Sequence, residues 1–356
     1  MGKKHILFSG GGSGGHVIPA RTLINDLKLI DDLRISYIGS ENGIERKVMS
    51  DIGVDYSAIR TGKLRRYLSF QNLLDIFNII LGTLESLILL LKDRPKLIVL
   101  TGGFVIVPVA VAAFFLRIPM VLHEQTTRIG LANKLASYLV KKVMISFPSS
   151  ARFLPENKTM LTGYPVRDIL FSGTNENYTL NNINFDQIEK PILFVTGGGN
   201  GSELLNQFVR ANFKALTEKY FVFHQTGRDH LEKYKDLDVK NYMPLGFMGD
   251  EYIEILKRAS CIISRSGAGT VAELLALGKS SIYVPLKIAQ KNEQFHNAME
   301  AHELLGSVVI TEDEFSNQEE VLAKILDFES KVNHTKSAET NPKKKIIDYL
   351  VSELNS

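Results

Sequence analysis

The sequence predicts an α/β protein with two doubly wound, parallel-sheet domains that face each other across a cleft. Short apolar runs alternate with longer amphipathic segments, which is typical of parallel strands covered by helices. One glycine-rich turn after an apolar run occurs twice, as ILFSGGGSGG at 6–15 and as ILFVTGGGNGS at 192–202. The polar, asparagine-rich stretch 172–190 lies between the halves and is typical of a linker or an extended loop.

The strands of each domain are predicted from these apolar runs. In the first domain, residues 1–165, they are HILFS (5–9), RISYIG (34–39), KLIVLTG (96–102), PMVLHE (119–124) and KVMISF (142–147). In the second, residues 191–342, they are PILFVTG (191–197), YFVFHQTG (220–227), ASCIISRSG (259–267) and SSIYVPL (280–286). Helical periodicity predicts helices at 18–30, 71–92 and 343–354, and the terminal segment 343–356 is a candidate to pack back on the first domain.

Composition excludes several classes of protein. Of 356 residues, 44% are apolar and 23% are charged, which is typical of a globular chain. The formal net charge of +3 indicates no nucleic-acid partner. The single cysteine, Cys261, lies in an apolar run and is expected to be a buried structural thiol. Asp75, Asn78 and Glu85 interrupt the apolar stretch 73–91, and the stretch 105–116 contains Pro108 and stops at Arg117, so we expect no membrane span and a cytoplasmic protein.

Three glycine turns, at 10–15, 197–201 and 267–269, follow predicted strands and indicate sites for phosphate groups. Such turns let backbone amides and a helix N-terminus face an anion. The first turn fits G-x-G-x-x-G, but Glu41 is slightly late for the acidic residue of a dinucleotide site, and the sequence contains no P-loop motif. Tight strand-to-helix packing would explain one such turn, whereas three turns in two similar domains favour ligand binding.

Seven motifs between residues 10 and 298 resemble, in order, the signatures of the MurG family. They are GGGSGGH (10–16), TGGF (101–104), HEQTTRIGLANK (123–134), TGYPVR (162–167), TGGGNGS (196–202), SRSGAGTVAE (264–273) and QFHNA (294–298). Members of that family are N-acetylglucosaminyltransferases that convert lipid I to lipid II in peptidoglycan synthesis. The resemblance implies a GT-B fold of two Rossmann-like domains, UDP-N-acetylglucosamine as donor, an undecaprenyl-diphosphate-linked muramyl peptide as acceptor, and inversion at the anomeric carbon.

The resemblance also assigns substrate-binding positions. They are Ser13, Gly14, Gly15, Thr126, Arg167, Gly199, Met248, Ala268, Gly269, Thr270, Val271 and Gln294. The turn at 13–15 would bind phosphate or donor, and Arg167 would contact the donor. Met248 would lie beside the uracil, residues 268–273 would hold diphosphate, ribose and sugar, and Gln294 would bond to the N-acetylglucosamine hydroxyls.

Three positions depart from the family pattern. Thr126 stands where asparagine is usual, Gly199 where serine is usual, and Tyr164 where asparagine is common. These changes leave open three alternatives: a glycosyltransferase for another lipid, a UDP-N-acetylglucosamine 2-epimerase of similar architecture, and a non-catalytic nucleotide-binding or membrane module.

An inverting transfer needs a general base near the acceptor and positive potential at the leaving diphosphate. His16 is the best base by residue type, although it could instead hold the turn by a backbone hydrogen bond. Glu124 is a second candidate, with a structural carboxylate as its alternative, and Glu273 lies where it could reach a sugar hydroxyl or pair with a helix dipole. Helix amides and Arg167 can meet the diphosphate, so we expect no metal and no cofactor. The only D-x-D, at 236–238, lies in a charged stretch.

Residues 63–92 suggest contact with an anionic membrane surface. In the segment 71–92 the polar residues form a narrow stripe and leave a wide apolar arc, and Lys63, Arg65 and Arg66 come just before it. A fully buried helix with a solvated basic loop is the alternative. With the resemblance, we expect a peripheral protein on the cytoplasmic face of the cell membrane.

Overall fold

The computed structural model describes residues 3–62, 70–235, 237, 239–288, 292–331 and 341–356. The basic residues at 63–66 and the two aspartates of the D-x-D therefore lie outside the described residues. The chain divides into two compact units. The first comprises Met1–Val166 and Asn341–Ser356, and the second comprises Arg167–Thr340.

The first unit is built on a seven-stranded parallel sheet of order β3-β2-β1-β4-β5-β6-β7. Its strands are β1 Lys4–Gly10, β2 Leu33–Ser40, β3 Asp55–Ile59, β4 Leu97–Gly102, β5 Met120–Glu124, β6 Lys142–Ile145 and β7 Thr159–Leu161. Its helices are α1 Gly14–Leu27, α2 Ile44–Asp51, α3 Phe70–Lys92, α4 Ile106–Phe115, α5 Leu131–Leu139 and, at the chain end, α12 Pro342–Asn355.

Both faces of this sheet are buried, which is why its central strands are almost continuously apolar. Leu7, Ile98 and Leu100 point to one face and pack with residues of α4. Ile6 and Phe8 point to the other face and pack with α1 and with Ile346, Leu350 and Leu354 of α12. The apolar side of α12 thus completes the core of the first unit.

The second unit contains a six-stranded parallel sheet of order β12-β11-β10-β13-β14-β15 and a separate hairpin. The strands are β8 Thr179–Leu180, β9 Ile183–Asn184, β10 Ile192–Thr196, β11 Phe221–Gln225, β12 Tyr242–Leu245, β13 Cys261–Ser264, β14 Ile282–Tyr283 and β15 Val308–Val309. The helices are α6 Glu203–Ala211, α7 Phe213–Lys219, α8 Glu251–Arg258, α9 Ala268–Ala276, α10 Glu293–Leu305 and α11 Gln318–Asp327.

The asparagine-rich stretch 172–190 belongs to this second unit. Asn181 and Asn182 have φ values of 48° and 65°, the left-handed backbone that a tight two-residue hairpin turn requires. They join β8 to β9, and Phe185 just beyond stacks on Phe223 of the main sheet with ring centroids 4.9 Å apart. Asparagine is suited to the turn because it tolerates positive φ.

The prediction of two doubly wound parallel sheets is confirmed. Every strand predicted from an apolar run is present, whereas β3, β7, β8, β9, β12 and β15 were missed. Of these, β8 and β9 form the hairpin, and the other four are the edges of the two sheets. Except in β12, most of their side chains are partly buried or exposed, and the sequence is correspondingly mixed. The predicted start of the first helix at residue 18 is wrong: α1 begins at Gly14 and includes His16 in its first turn.

Both sheets reverse their strand order at one point. The reversal lies between β1 and β4 in the first unit and between β10 and β13 in the second. Doubly wound proteins bind ligands at the carboxyl ends of the strands at this switch point. All three glycine turns singled out in the sequence follow strands that flank a switch point.

Buried His224 predicts acid sensitivity of the second unit. Its Nδ1 lies 2.9 Å from Tyr242 Oη and its Nε2 lies 2.9 Å from Asn206 Oδ1. Burial lowers the pKa of His224 to about 3 from 6.5. Below pH 6.5, His224 therefore binds a proton in the unfolded state while it stays neutral in the folded state. The free energy of unfolding decreases as the pH falls through this range.

In the wild type, His224 should lower the free energy of unfolding by about 2 kcal/mol between pH 7 and pH 5. We expect this contribution to be absent in His224→Gln. Urea unfolding of the wild type and the variant at both pH values measures this difference. A variant that retains the full pH dependence would contradict a neutral, buried His224.

Candidate active site

The glycines of the first turn are required for different reasons. A Cβ atom at Gly10 would lie 2.1 Å from Thr101 Oγ1, and one at Gly11 would lie 2.5 Å from Glu45 Oε1. Gly12 has a φ of +82°. Protein packing and backbone conformation therefore account for these three glycines. At Gly14, by contrast, a Cβ atom would meet nothing within 4 Å, and at Gly15 only Ser13 Oγ at 3.7 Å.

The side chain of Glu45 makes the two ends of this turn electrostatically different. Its buried carboxylate accepts hydrogen bonds from the backbone N–H of Gly12 at 3.2 Å and of Ser40 at 2.9 Å. Glu45 was not predicted from the sequence, in which Glu41 is the nearer match to the acidic residue of a dinucleotide site. Because a negative charge already lies against Gly12, an anion is favoured at the other end of the turn. There, α1 begins at Gly14 and Ser13 makes no side-chain capping bond.

His16 lies at the start of α1 and is linked to a buried chain of hydrogen-bonding groups. His16 Nδ1 lies 3.2 Å from Gln125 Oε1. The amide nitrogen of Gln125 lies 2.9 Å from the backbone oxygen of His123 and 3.2 Å from His123 Nδ1. His123 Nε2 lies 3.1 Å from the backbone oxygen of Gly163. Gln125 belongs to the motif at 123–134, but no role for it was predicted from the sequence.

Glu124, the second candidate base, is buried and fully engaged with the loop that follows β5. Its Oε1 accepts a hydrogen bond from Thr126 N at 3.0 Å and lies 2.8 Å from Thr126 Oγ1. Its Oε2 accepts from Asn133 Nδ2 at 2.9 Å. Threonine at 126 thus serves as a partner for this carboxylate. The geometry favours loop stabilisation for Glu124 and leaves His16 as the better base.

Tyr164, another departure from the family pattern, is buried. Its ring lies edge-on to the ring of His123, with centroids 6.4 Å apart. A large aromatic side chain therefore packs against the same buried histidine that contacts Gln125.

A cavity of about 550 Å³ opens at the switch point of the first unit. Its lining combines the glycine turn with residues of the β2–α2 and β3–α3 connections and of α3. The lining residues are Gly11, Gly12, Ser40, Glu41, Asn42, Gly43, Ile44, Ile59, Arg60, Thr61, Asn78, Phe104 and Val105. It therefore offers amides, the guanidinium group of Arg60, the carboxylate of Glu41 and an apolar wall to a ligand.

In the second unit, Arg167 and Glu273 form a pair. Arg167 donates to Glu273 Oε1 from Nε at 3.3 Å and from Nη2 at 3.1 Å, and also to the backbone oxygen of Gly249 at 3.2 Å. Its guanidinium group lies 5.4 Å from the ring centre of Tyr252, which also hydrogen-bonds to Glu273. Burial raises the pKa of Glu273, and Arg167 and Tyr252 oppose that rise. Sequence reasoning missed Tyr252.

The remaining predicted donor residues surround the start of α9. The N-cap residue is Gly267, which has no side chain to cap the helix. The first turn of the helix is formed by Ala268, Gly269, Thr270 and Val271. Its amides can therefore receive an anion. Gln294, in the first turn of α10, uses its Oε1 to accept from Leu286 N at 3.1 Å, so its amide N–H groups can donate to a ligand.

In the turn at 197–202, as in the first turn, packing requires glycine at some positions and not at others. A Cβ atom at Gly201 would lie 1.9 Å from the backbone oxygen of Thr226, so packing requires glycine there. At Gly199, which is exposed, it would lie 3.5 Å from the ring of Phe247, an ordinary contact. Gly199 therefore has room for the serine that is usual in the family. Met248, adjacent to Phe247, is buried.

An apolar surface, the α3–α4 face, is exposed on the first unit. Its members are apolar side chains that are each at least half exposed: Ile76, Phe77, Ile80, Leu84, Ile88 and Leu91 on α3, with Phe114 and Phe115 on α4. The polar side of α3 instead faces the chain before it, where Glu85 Oε2 accepts from Arg60 N at 2.7 Å. The alternative of a fully buried helix is wrong for the described part of α3.

Among the described residues, no helix is both long enough and apolar enough to span a bilayer. The same residues contain no group of three or more His, Cys, Asp and Glu side chains arranged to hold a metal ion.

Two family models match the chain, one in each half of the sequence. The model of the glycosyltransferase family 28 N-terminal domain matches residues 6–145, and that of the C-terminal domain matches residues 192–350. Together they span most of the chain.

Curated relatives match over almost the full length. A UDP-N-acetylglucosamine–N-acetylmuramyl-(pentapeptide) pyrophosphoryl-undecaprenol N-acetylglucosamine transferase of Clostridium novyi is 36% identical over 355 residues, 99% of this chain and 98% of the relative. One of the same name from Clostridium perfringens is 38% identical over 331 residues, 92% of this chain and 91% of the relative. The crystal structure of Acinetobacter baumannii MurG has the same fold, with a TM-score of 0.75, 22% identity, and coverage of 98% of this chain and 99% of that chain.

Proposed function

Because the chain belongs to glycosyltransferase family 28 and, within it, to the MurG family, we propose that it converts lipid I to lipid II. It transfers N-acetylglucosamine from UDP-N-acetylglucosamine to N-acetylmuramyl-(pentapeptide) pyrophosphoryl-undecaprenol, with inversion at the anomeric carbon. The observation that carries this proposal is the near full-length similarity to transferases of that name, at 36% identity over 355 residues.

The second unit binds the donor. The first turn of α9 receives the diphosphate, and Glu273 accepts a hydrogen bond from a sugar or ribose hydroxyl. Arg167 holds that carboxylate at 3.1 Å and adds positive charge beside it. Met248 lies next to the uracil, and the amide N–H groups of Gln294 donate to the N-acetylglucosamine hydroxyls. Support comes from the position of α9, which follows the carboxyl end of β13 beside the switch point.

The first unit binds the acceptor. The 550 Å³ cavity takes its headgroup, and the exposed amides of Ser13, Gly14 and Gly15 receive its diphosphate. Support comes from the glycines themselves, because packing within the protein does not require glycine at positions 14 and 15. Arg60 in the cavity wall supplies a cation for the same group.

The reaction is a single displacement. His16 removes the proton from the acceptor hydroxyl as its oxygen bonds to C1 of N-acetylglucosamine. The bond from C1 to the diphosphate breaks at the same time, and UDP leaves with the electron pair. Helix-terminal amides and Arg167 stabilise the charge that develops on the diphosphate.

A direct assay tests this function. Purified protein is incubated with UDP-N-acetylglucosamine and a short-chain lipid I analogue, and UDP release and product mass are followed. A disaccharide product is expected. Formation of UDP-N-acetylmannosamine would indicate the epimerase instead. Donor binding without turnover on this acceptor, but with turnover on another lipid, would indicate a different acceptor. Donor binding without turnover on any lipid would indicate a non-catalytic module.

The protein docks peripherally on the anionic cytoplasmic face of the membrane through the α3–α4 face. The acceptor is anchored in lipid, and Asn78 of α3 lines the cavity proposed for its headgroup. Exposed apolar side chains on the neighbouring side of the same helix can enter the interfacial region. The described part of α3 therefore offers both a membrane contact and a cavity wall.

We expect the double substitution Ile80→Glu and Leu84→Glu to weaken binding to phosphatidylglycerol-containing vesicles about 100-fold, because two half-exposed apolar side chains no longer enter the bilayer. Vesicle co-sedimentation measures the effect. Leu29→Glu is the matched control, since Leu29 is a highly exposed apolar residue of the first unit outside the α3–α4 face. Equal binding of the double variant and the control would contradict docking through this face.

A further inference from the structure

We propose that Gln125 is a positioning residue that sets the tautomer of His16, so that Nε2 is the ring nitrogen that accepts the substrate proton. The inference rests on the proposed function, which makes His16 the general base. It concerns three side chains of the first unit at the carboxyl ends of β1 and β5: His16, Gln125 and His123.

The orientation of the Gln125 amide is determined by a backbone carbonyl. Its nitrogen lies 2.9 Å from the backbone oxygen of His123, and a carbonyl oxygen can only accept a hydrogen bond. The amide nitrogen must therefore face that carbonyl, and the amide oxygen must face the other way. That oxygen lies 3.2 Å from His16 Nδ1. Because an amide oxygen can only accept, His16 Nδ1 must carry a proton.

A second backbone carbonyl gives the same orientation independently. His123 Nε2 lies 3.1 Å from the backbone oxygen of Gly163, so His123 carries its proton on Nε2. Burial lowers the pKa of His123 to about 4, so the ring is neutral at physiological pH and its Nδ1 has a lone pair. That lone pair accepts from the Gln125 amide nitrogen at 3.2 Å.

Packing holds the Nδ1 edge of His16 towards this chain. A Cβ atom at Gly102 would lie 2.5 Å from His16 Nδ1, so the ring lies directly against a glycine. His16 Nε2 makes no hydrogen bond to the described part of the chain, and His16 is partly exposed. A neutral His16 with its proton on Nδ1 therefore has its lone pair on Nε2, available to the acceptor.

This arrangement leaves the substrate proton on His16. The acceptor O–H bond breaks and an Nε2–H bond forms, while Nδ1 keeps donating to Gln125. A glutamine amide does not take up the Nδ1 proton, so no proton is passed on to His123. Glu124, which precedes Gln125 in the sequence, has a carboxylate that accepts hydrogen bonds from Thr126 and Asn133. Gln125 thus orients the base through a neutral dipole, where many enzymes use an anion.

The tautomer can be measured without substrate. The full-length protein is labelled with ¹⁵N-histidine, and a long-range ¹H–¹⁵N correlation spectrum identifies the protonated nitrogen of each neutral ring. His16→Ala assigns the signal among the eight histidines. We expect the His16 proton on Nδ1. A proton on Nε2 in the wild type would overturn the inference, whatever the variants do.

Two substitutions extend the test to catalysis. Gln125→Met removes the acceptor at nearly constant volume, so we expect the His16 proton to move to Nε2 and kcat to fall about 10- to 100-fold. The KM for UDP-N-acetylglucosamine should stay unchanged. Gln125→Glu retains an oxygen towards His16 and should restore the Nδ1–H tautomer and part of kcat. An unchanged tautomer in Gln125→Met would overturn the inference.

Ser146→Ala is the matched control. It also removes a buried polar group next to His123, since Ser146 Oγ lies 3.5 Å from His123 Nε2. Among the described residues Ser146 makes no hydrogen bond to the Gln125 side chain, so tautomer and kcat should remain those of the wild type. The readouts separate two kinds of failure. An inactive wild type with the Nδ1–H tautomer would refute the proposed function, whereas an active wild type with the Nε2–H tautomer would refute only the role of Gln125.

Discussion

His16→Ala is expected to lower kcat about 10²- to 10⁴-fold, the usual contribution of a general base. The KM for UDP-N-acetylglucosamine should stay unchanged, because His16 belongs to the first unit and the donor residues belong to the second. Steady-state rates of UDP release at saturating lipid I analogue measure the effect. A fall in kcat without a rise in KM is the signature of an interaction made in the transition state.

The matched control for this substitution is His5→Ala. His5 is another histidine of the first unit, more buried than His16, and its Nε2 lies 2.7 Å from Ser36 Oγ. His5 is the second residue of β1 and lies at the opposite end of the strand from the glycine turn. We expect His5→Ala to reduce stability and to retain kcat. If His16→Ala stayed active while Glu124→Gln lost activity, Glu124 would be the base.

Glu273→Ala is expected to lower kcat/KM for UDP-N-acetylglucosamine about 100-fold, because a hydrogen bond to a charged group contributes about 1.5–3 kcal/mol. The substitution also releases Arg167 from its bonds at 3.1 and 3.3 Å. Initial rates at varied donor concentration, together with calorimetric binding of UDP-N-acetylglucosamine, measure the loss. Affinity for the lipid acceptor should not change.

Glu254→Ala provides a control for the loss of a buried carboxylate. Glu254 is buried in the same unit, where it pairs with Lys257 at 3.6 Å and Arg258 at 3.7 Å on its own helix. We expect lower thermal stability and an unchanged KM for the donor. A similar rise in KM in both variants would mean that Glu273 acts only through the stability of the unit.

The central strands could be predicted from the sequence because burial on both sides makes them continuously apolar. Edge strands such as β3, with the sequence DYSAI, are partly exposed and have no such signature. The start of α1 was missed for a related reason. Glycine is a poor helix former, and at Gly14 and Gly15 the helix begins despite its residues, where backbone amides are left facing outward.

The candidate site was predictable where its residues belong to local motifs. Gly14, His16, Arg167 and Glu273 each stand within or beside a glycine turn or a motif shared with the family. Glu45, Gln125 and Tyr252 were not assigned a role, because their partners are distant along the chain: Gln125, for example, contacts His16 across 109 positions. No local pattern carries information of that kind.

By itself, the sequence determined the class of fold, the turns at the strand ends and the family, since these depend on apolar periodicity, glycine and short motifs. Only the tertiary structure decided which glycines packing requires, which carboxylate is already occupied and which nitrogen of His16 faces Gln125. These properties depend on contacts between residues far apart in the chain. Hydrogen-bond direction in particular is determined by backbone carbonyls that folding brings beside a side chain.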